Sequence, residues 1–198
     1  MKISSVVLSC VIGVLSFNSM AQSTFVLRNY SSDLNTLNAP VFNAEGTGLS
    51  GTNYAAELWG GVTSDSLSPA LDLNSSQRVF VPFLTGIGAG YFTSYLEMTV
   101  FQVGGGDFAW VQVRAWDARL GATYEDVAAL GMGGYGESLP FYAQGGNPTY
   151  VPPELPRLLF GLQSFSLRPI PEPSVWQLSL LGLPAMLLLR RKGGFIKS

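Results

Sequence analysis

Two alternating runs, residues 95–103 and 108–117, separated only by Gly104-Gly105-Gly106-Asp107, constrain this chain more than any other stretch. Both are rich in β-branched and aromatic side chains and hold a period of two, the pattern of a strand with two distinct faces. A four-residue, glycine-rich link between them predicts a hairpin. In the second run Ala109, Val111, Val113 and Ala115 share one face, while Phe108, Trp110, Gln112, Arg114 and Trp116 share the other. A strand with small apolar residues on one side and large aromatics with an arginine on the other is either packed on both faces or displays a stacking surface.

Shorter strands are expected at residues 24–30, 53–59, 78–84, 138–144 and 161–168, each bounded by Gly, Pro, Asn or Ser. Within 53–59, Tyr54, Ala56 and Leu58 alternate with Ala55, Glu57 and Trp59, which predicts a half-buried strand. Residues 63–77, rich in Ser, Asp and Pro, read as surface. Only residues 122–130 have helical character, with Thr123 as N-cap, Glu125 and Asp126 in the first turn and Gly131 as the stop. The glycine strings at 86–90 and 131–136 lack the strand, long helix and lysine of a phosphate loop, and read as flexible loops. The expectation is an all-β fold over residues 22–170: an antiparallel β-sandwich, jelly-roll or immunoglobulin-like, with one short helix.

Composition narrows the chemistry. The chain has no histidine, and its one cysteine is Cys10, so His-based triads, Cys-His pairs and His-ligated metals are excluded in their usual form. Residues 22–170 hold six scattered Arg, no Lys and twelve carboxylates, which argues against nucleic acid. No cofactor or metal is called for, and the remaining option is carboxylate chemistry. Glu125 and Asp126 are adjacent, about 100° apart on a helix, and suit a helix dipole better than a scissile bond. Asp117 suits a turn, with calcium or a sugar hydroxyl as the functional alternative. Trp59, Trp110 and Trp116 are candidates to stack on glycan faces; sandwich cores use the same residues. Glu57 and Arg114 are expected to form a cross-strand ion pair, because charges on such strands need a partner or water.

The ends have their own logic. Residues 1–21 carry Lys2, an apolar stretch from Val6 to Phe17 and Ser19-Met20-Ala21, the pattern of a signal helix that signal peptidase cuts between Ala21 and Gln22. At the other end Pro171-Glu172-Pro173 interrupts any regular element, since each proline fixes φ and removes a donor. The apolar residues 175–189 follow, fifteen with seven Leu, broken by Gly182 and Pro184. As a helix they span roughly 22 Å, short of the roughly 30 Å of hydrocarbon a settled span crosses, so membrane residence is expected to be transient. Arg190, Arg191 and Lys192 then form a cytoplasmic stop cluster, which places residues 22–170 on the far side.

The string PEPSVWQLSLLGLPAMLLLRRK, residues 171–192, resembles the PEP-CTERM sorting signal of bacteria with an outer membrane. The resemblance covers about an eighth of the chain. It departs from the family pattern in the longer tail from Gly193 to Ser198. It implies that a membrane-embedded, cysteine-protease-like transpeptidase, the exosortase, recognises Pro171-Glu172-Pro173, cuts nearby and releases the domain to the cell surface or its exopolysaccharide. The strings VQVRAWD (111–117) and GLQSF (161–165) are similar to ectodomains that precede such signals and bring no activity with them. The expected function is therefore a structural or adhesive surface or biofilm-matrix protein that is acted on by two membrane enzymes and is itself no enzyme. A displayed carbohydrate-binding module is the alternative, marked by an exposed coplanar row of Trp and Tyr.

Overall fold

A computed structural model describes residues 22–32 and 37–171. The expected signal peptide with Ala21, and the expected sorting signal from Glu172 and Pro173 through Arg190, Arg191 and Lys192, lie outside the described residues. In chain order the elements are β1 (Gln22–Arg28), β2 (Tyr30–Ser31), β3 (Leu37–Asn38), β4 (Val41–Phe42), β5 (Gly51–Gly61), β6 (Ser68–Pro69), β7 (Leu71–Asp72), β8 (Val81–Phe83), β9 (Thr93–Gly104), β10 (Phe108–Asp117), α1 (Tyr124–Leu130), β11 (Tyr135–Glu137), β12 (Phe141–Gln144) and β13 (Phe165–Ser166). The fold is all-β, in several mostly antiparallel sheets with one short helix.

β10 forms where its alternation predicts and organises the larger sheet. Ala109, Val111, Val113 and Ala115 are wholly buried on its inner face. β5 lies antiparallel on one side, in a register that runs from Trp110 opposite Gly61 to Asp117 opposite Tyr54. β11 and β12 share its other edge, and β6 and β8 flank β5. From Ala55 to Gly61 every residue of β5 is buried, so this strand is covered on both faces rather than half-exposed.

The expected hairpin does not form. β9 belongs to the second sheet, ordered β1-β9-β7, and Gly104–Asp107 arches from one sheet to the other. Both edges of each strand are occupied: β9 pairs with β1 and β7, and β10 with β5 and the β11/β12 edge. A hairpin would set the two apolar faces side by side, whereas the arch lays one on the other, so that Met98, Val100 and Val103 share one core with Ala109, Val111 and Val113. Burying a large apolar side chain fully contributes about 1.5–3 kcal/mol, and that gain decides between the two closures. The arch is fastened by Gly106 N–H to the Gly146 carbonyl (3.1 Å) and Asn147 Nδ2 to the Gly105 carbonyl (2.9 Å). The sheets approach closely enough that a Cβ on Gly60 would lie 2.6 Å from Val100 Cγ2.

Other expectations shift in detail. Residues 63–77 contain β6 and β7, and Ala70 and Asp72 are buried, so this stretch closes sheet edges as well as facing water. The last strand shrinks to Phe165 and Ser166, which pair parallel to Val41 and Phe42. The string 131–136 is set by close approach: β11 begins within it, and a Cβ on Gly133 would collide with the carbonyl of Pro169. α1 matches its signals: Thr123 Oγ1 accepts from Asp126 N–H (3.2 Å), Asp126 Oδ2 accepts from Thr123 N–H (3.1 Å), and Gly131 ends the helix at φ 65°.

Candidate functional site

The outer face of the larger sheet gathers most of the residues singled out in the sequence. Because β5 and β10 pair antiparallel, Ala55, Glu57, Trp59 and Gly61 stand opposite Trp116, Arg114, Gln112 and Trp110. Trp116 is wholly buried, roofed by Tyr124 and Val127 of α1, with Nε1 donating to the Gly121 carbonyl (3.2 Å). Trp59 is 9% exposed, its Nε1 donates to Glu57 Oε2 (2.9 Å), and the Arg114 guanidinium carbon sits 3.6 Å from its ring centroid. Neither ring has a face open to a sugar.

Trp110 is the half-buried member, and its neighbours are Phe108 and Tyr142, which are 49% and 56% exposed. Phe108 and Tyr142 stack at 5.0 Å and 18°, and Trp110 tilts against Tyr142 at 5.4 Å and 45°. Rings this close turn faces toward each other instead of sharing one outward plane. The trio is an exposed aromatic cluster, not a coplanar row. Tyr142 carried no sequence signal beyond belonging to an expected strand.

Beside this cluster lies a polar network that sequence reasoning placed only in part. Glu57 and Arg114 are direct neighbours in the register, as expected, but the ion pair of Glu57 is with Arg78. Arg78 Nε donates to Glu57 Oε1 (2.6 Å) and Nη2 to Oε2 (2.7 Å). The wholly buried carboxylate needs a two-pronged donor, and Arg78 supplies it from the segment entering β8, while Arg114 is spent on the Trp59 ring and on Gln112 Oε1 (2.9 Å). Arg78 Nη2 also reaches Glu125 Oε2 of α1 (2.9 Å), and the two carboxylates raise its pKa. On the far side Tyr124 donates to Glu137 Oε2, and Arg168 Nη2 holds Glu137 Oε1 (3.1 Å). Burial first, and then Glu137, pushes the Tyr124 phenol well above its ordinary value.

These acids are arranged for holding. Glu57 and Glu125 bond the same guanidinium nitrogen, so the space between them is filled by a cation instead of a substrate. Burial pushes the Glu125 carboxyl up, yet the bonds from Arg78 leave it below its ordinary value, the reverse of what a general acid needs. Asp126 is committed to the helix cap. Asp117 Oδ1 accepts from Arg119 N–H (3.0 Å) and Nε (2.8 Å), and Oδ2 from Nη2 (2.5 Å), a turn closed by its own arginine. Among the described residues no group of three or more Asp, Glu, His or Cys could hold a metal ion.

A cavity of about 380 Å³ lies where the described chain ends, lined among others by Tyr54, Asp117, Arg119, Arg168 and Pro171. The last ladder bond before it runs from Arg168 N–H to the Tyr135 carbonyl (2.8 Å), and Pro171 is exposed. No helix among the described residues is long and apolar enough to cross a membrane. No family model, no curated protein and no solved structure matches this chain.

Proposed function

We propose that this chain is an exported bacterial protein whose residues 171–192 are a sorting signal read by an exosortase-type membrane protease. Its β domain then serves as a structural or adhesive component of the cell surface or its exopolysaccharide. The observation that carries the reading is the order of three terminal features: Pro171-Glu172-Pro173, the apolar residues 175–189, and Arg190-Arg191-Lys192. A leader with a small-x-small site before Gln22 supports export through signal peptidase. On this reading the two sheets facing across one core are a β-sandwich, contact with the membrane is transient through the C-terminal segment, and the domain catalyses nothing. The exposure of Pro171, three residues past the last ladder bond, supports access by a protease.

The test is mass spectrometry of the surface-released protein in its host, with and without alanines at 171–173. Sorting gives a mature form that begins at Gln22 and lacks Arg190 and Arg191, and the alanine variant retains them. A wild-type form that keeps Arg190 and Arg191 overturns the proposal.

A further inference from the structure

At the opposite end of β1 from the arch, a cavity of about 560 Å³ opens between the end of the strand and the 84–93 segment. Its walls are mostly carbon: Leu84, Ile87, Phe92 and the rings of Tyr30 and Tyr91. Ile87 is fully exposed at the tip of the Gly86–Gly88 turn, Leu84 is 44% exposed, and Tyr30 packs edge-on against Tyr91 at 5.4 Å. One cation faces this surface. Arg28 ends β1 opposite Thr93, after a register shift that separates it from Val26. Its Nε is out of water with no hydrogen-bond partner, and it forms no ion pair among the described residues.

The walls are fixed before any ligand arrives. Asn29, wholly buried next to Arg28, donates from Nδ2 to the carbonyls of Ala39 (2.8 Å) and Gly90 (2.9 Å) and accepts from Phe92 N–H (2.8 Å). Leu84 N–H bonds the Tyr91 carbonyl (2.8 Å), and Tyr91 Oη donates to Asn38 Oδ1 (2.8 Å). The volume lies within the roughly 300–1,000 Å³ of small-molecule sites, and a preformed wall saves the cost of ordering.

We propose that this cavity binds a small apolar carboxylate, its anionic end on the Arg28 guanidinium and its ring or short chain against Tyr30, Leu84, Ile87 and Phe92. Arg28 is the cation among the lining residues and has no counter-ion among the described residues, and a carboxylate is a group that a guanidinium binds strongly through charge-assisted hydrogen bonds. Sugars fit poorly, because their many hydroxyls would meet carbon over most of this lining. The site does not depend on how the C-terminus is processed.

The probe is 4-phenylbutyrate, with 4-phenylbutanol as its neutral counterpart, titrated by saturation-transfer NMR against the full chain in lipid nanodiscs, empty discs subtracted. The acid binds saturably, and the alcohol and the Arg28→Leu variant each lose about tenfold or more in affinity, as expected for a charge-assisted pair. Ile87→Glu keeps the wild-type melting curve, since the side chain is exposed, and also weakens the acid by placing a like charge at the mouth. No saturable binding at millimolar probe, equal affinity for acid and alcohol, or undiminished binding of the acid to Ile87→Glu overturns the proposal, even where Arg28→Leu fails to fold.

Discussion

Glu57 and Arg78, twenty-one residues apart in sequence, form a two-pronged ion pair at 2.6 and 2.7 Å, and the carboxylate in it is wholly removed from water. Arg114, directly across the sheet from Glu57, is instead spread over Trp59. Arg78→Met is therefore expected to cost about 3–5 kcal/mol, because it strands a buried charge, whereas Arg114→Met removes cation–π contacts worth about 0.5–2 kcal/mol. Urea unfolding of both variants checks the order. An Arg114 variant weaker than the Arg78 variant would mean the pairing is misassigned.

Close approach of the two sheets gives a second expectation. A methyl group on Gly60 would meet both γ-carbons of Val100, at 2.6 and 2.8 Å, and a β-branched side chain has no free rotamer into which to retreat. Gly60→Ala should destabilise by about 1–3 kcal/mol through overpacking. A denaturation midpoint at or above wild type would show that the sheets are not in contact there.

Asn29 is the third. Its amide donates to two carbonyls and accepts from Phe92 N–H, so Asn29→Asp replaces a donor with an anion facing two oxygens. Asn29→Ala should cost about 1–3 kcal/mol in lost and stranded hydrogen bonds, and Asn29→Asp more, at neutral pH. Thermal melts of the pair at neutral pH test the ranking, which fails if the aspartate variant is the more stable.

Acid stability follows from three carboxyls held below their ordinary values. The Ser75 hydroxyl and then its N–H hold Asp72 down; burial raises Asp117 and Glu125, and the bonds from Arg119 and Arg78 more than offset it. A depressed folded-state pKa contributes stability that is complete above the unfolded values, 3.8 for aspartate and 4.5 for glutamate, and is lost as pH falls through the folded ones. The unfolding midpoint should thus be flat near neutrality and fall below about pH 4, with a shallower fall in Asp72→Asn. An acid limb unchanged by that substitution would remove Asp72 from the account.

Where the determining contacts are local, the sequence carries the structure plainly. β10 was legible because its alternation runs unbroken for ten residues, and α1 because Thr123, Asp126 and Gly131 are a cap, a reciprocal cap and a stop within nine positions. The link 104–107 misled because its length and glycines suit both a hairpin and an arch, and the choice between them rests on partners as far away as Gln22–Arg28 and Gly51–Gly61. Arg78 as the partner of Glu57 was hidden for the same reason, as it depends on where β8 meets β5. The Arg28 cavity joins a strand end to a turn some sixty positions later, and nothing in either stretch announces the other. Trp59 and Trp116 show a further limit: period two assigns a face, but whether that face meets water depends on Arg114 and α1, which lie across the sheet or beyond it.

The pairing of β1 with β9 fixes when this protein is able to fold. Thr24 waits for Thr99, and Phe25 for Met98, so the first strand to emerge stays single until more than seventy further residues have been delivered. Such long loops close slowly, and in the proposed export a polypeptide threaded amino end first through a narrow translocation pore keeps its leading strand unpaired until β9 has followed it through. On the proposed export route, late closure makes the chain easy to transport and, for the same interval, leaves a bare β-edge for chaperones on the far side to guard.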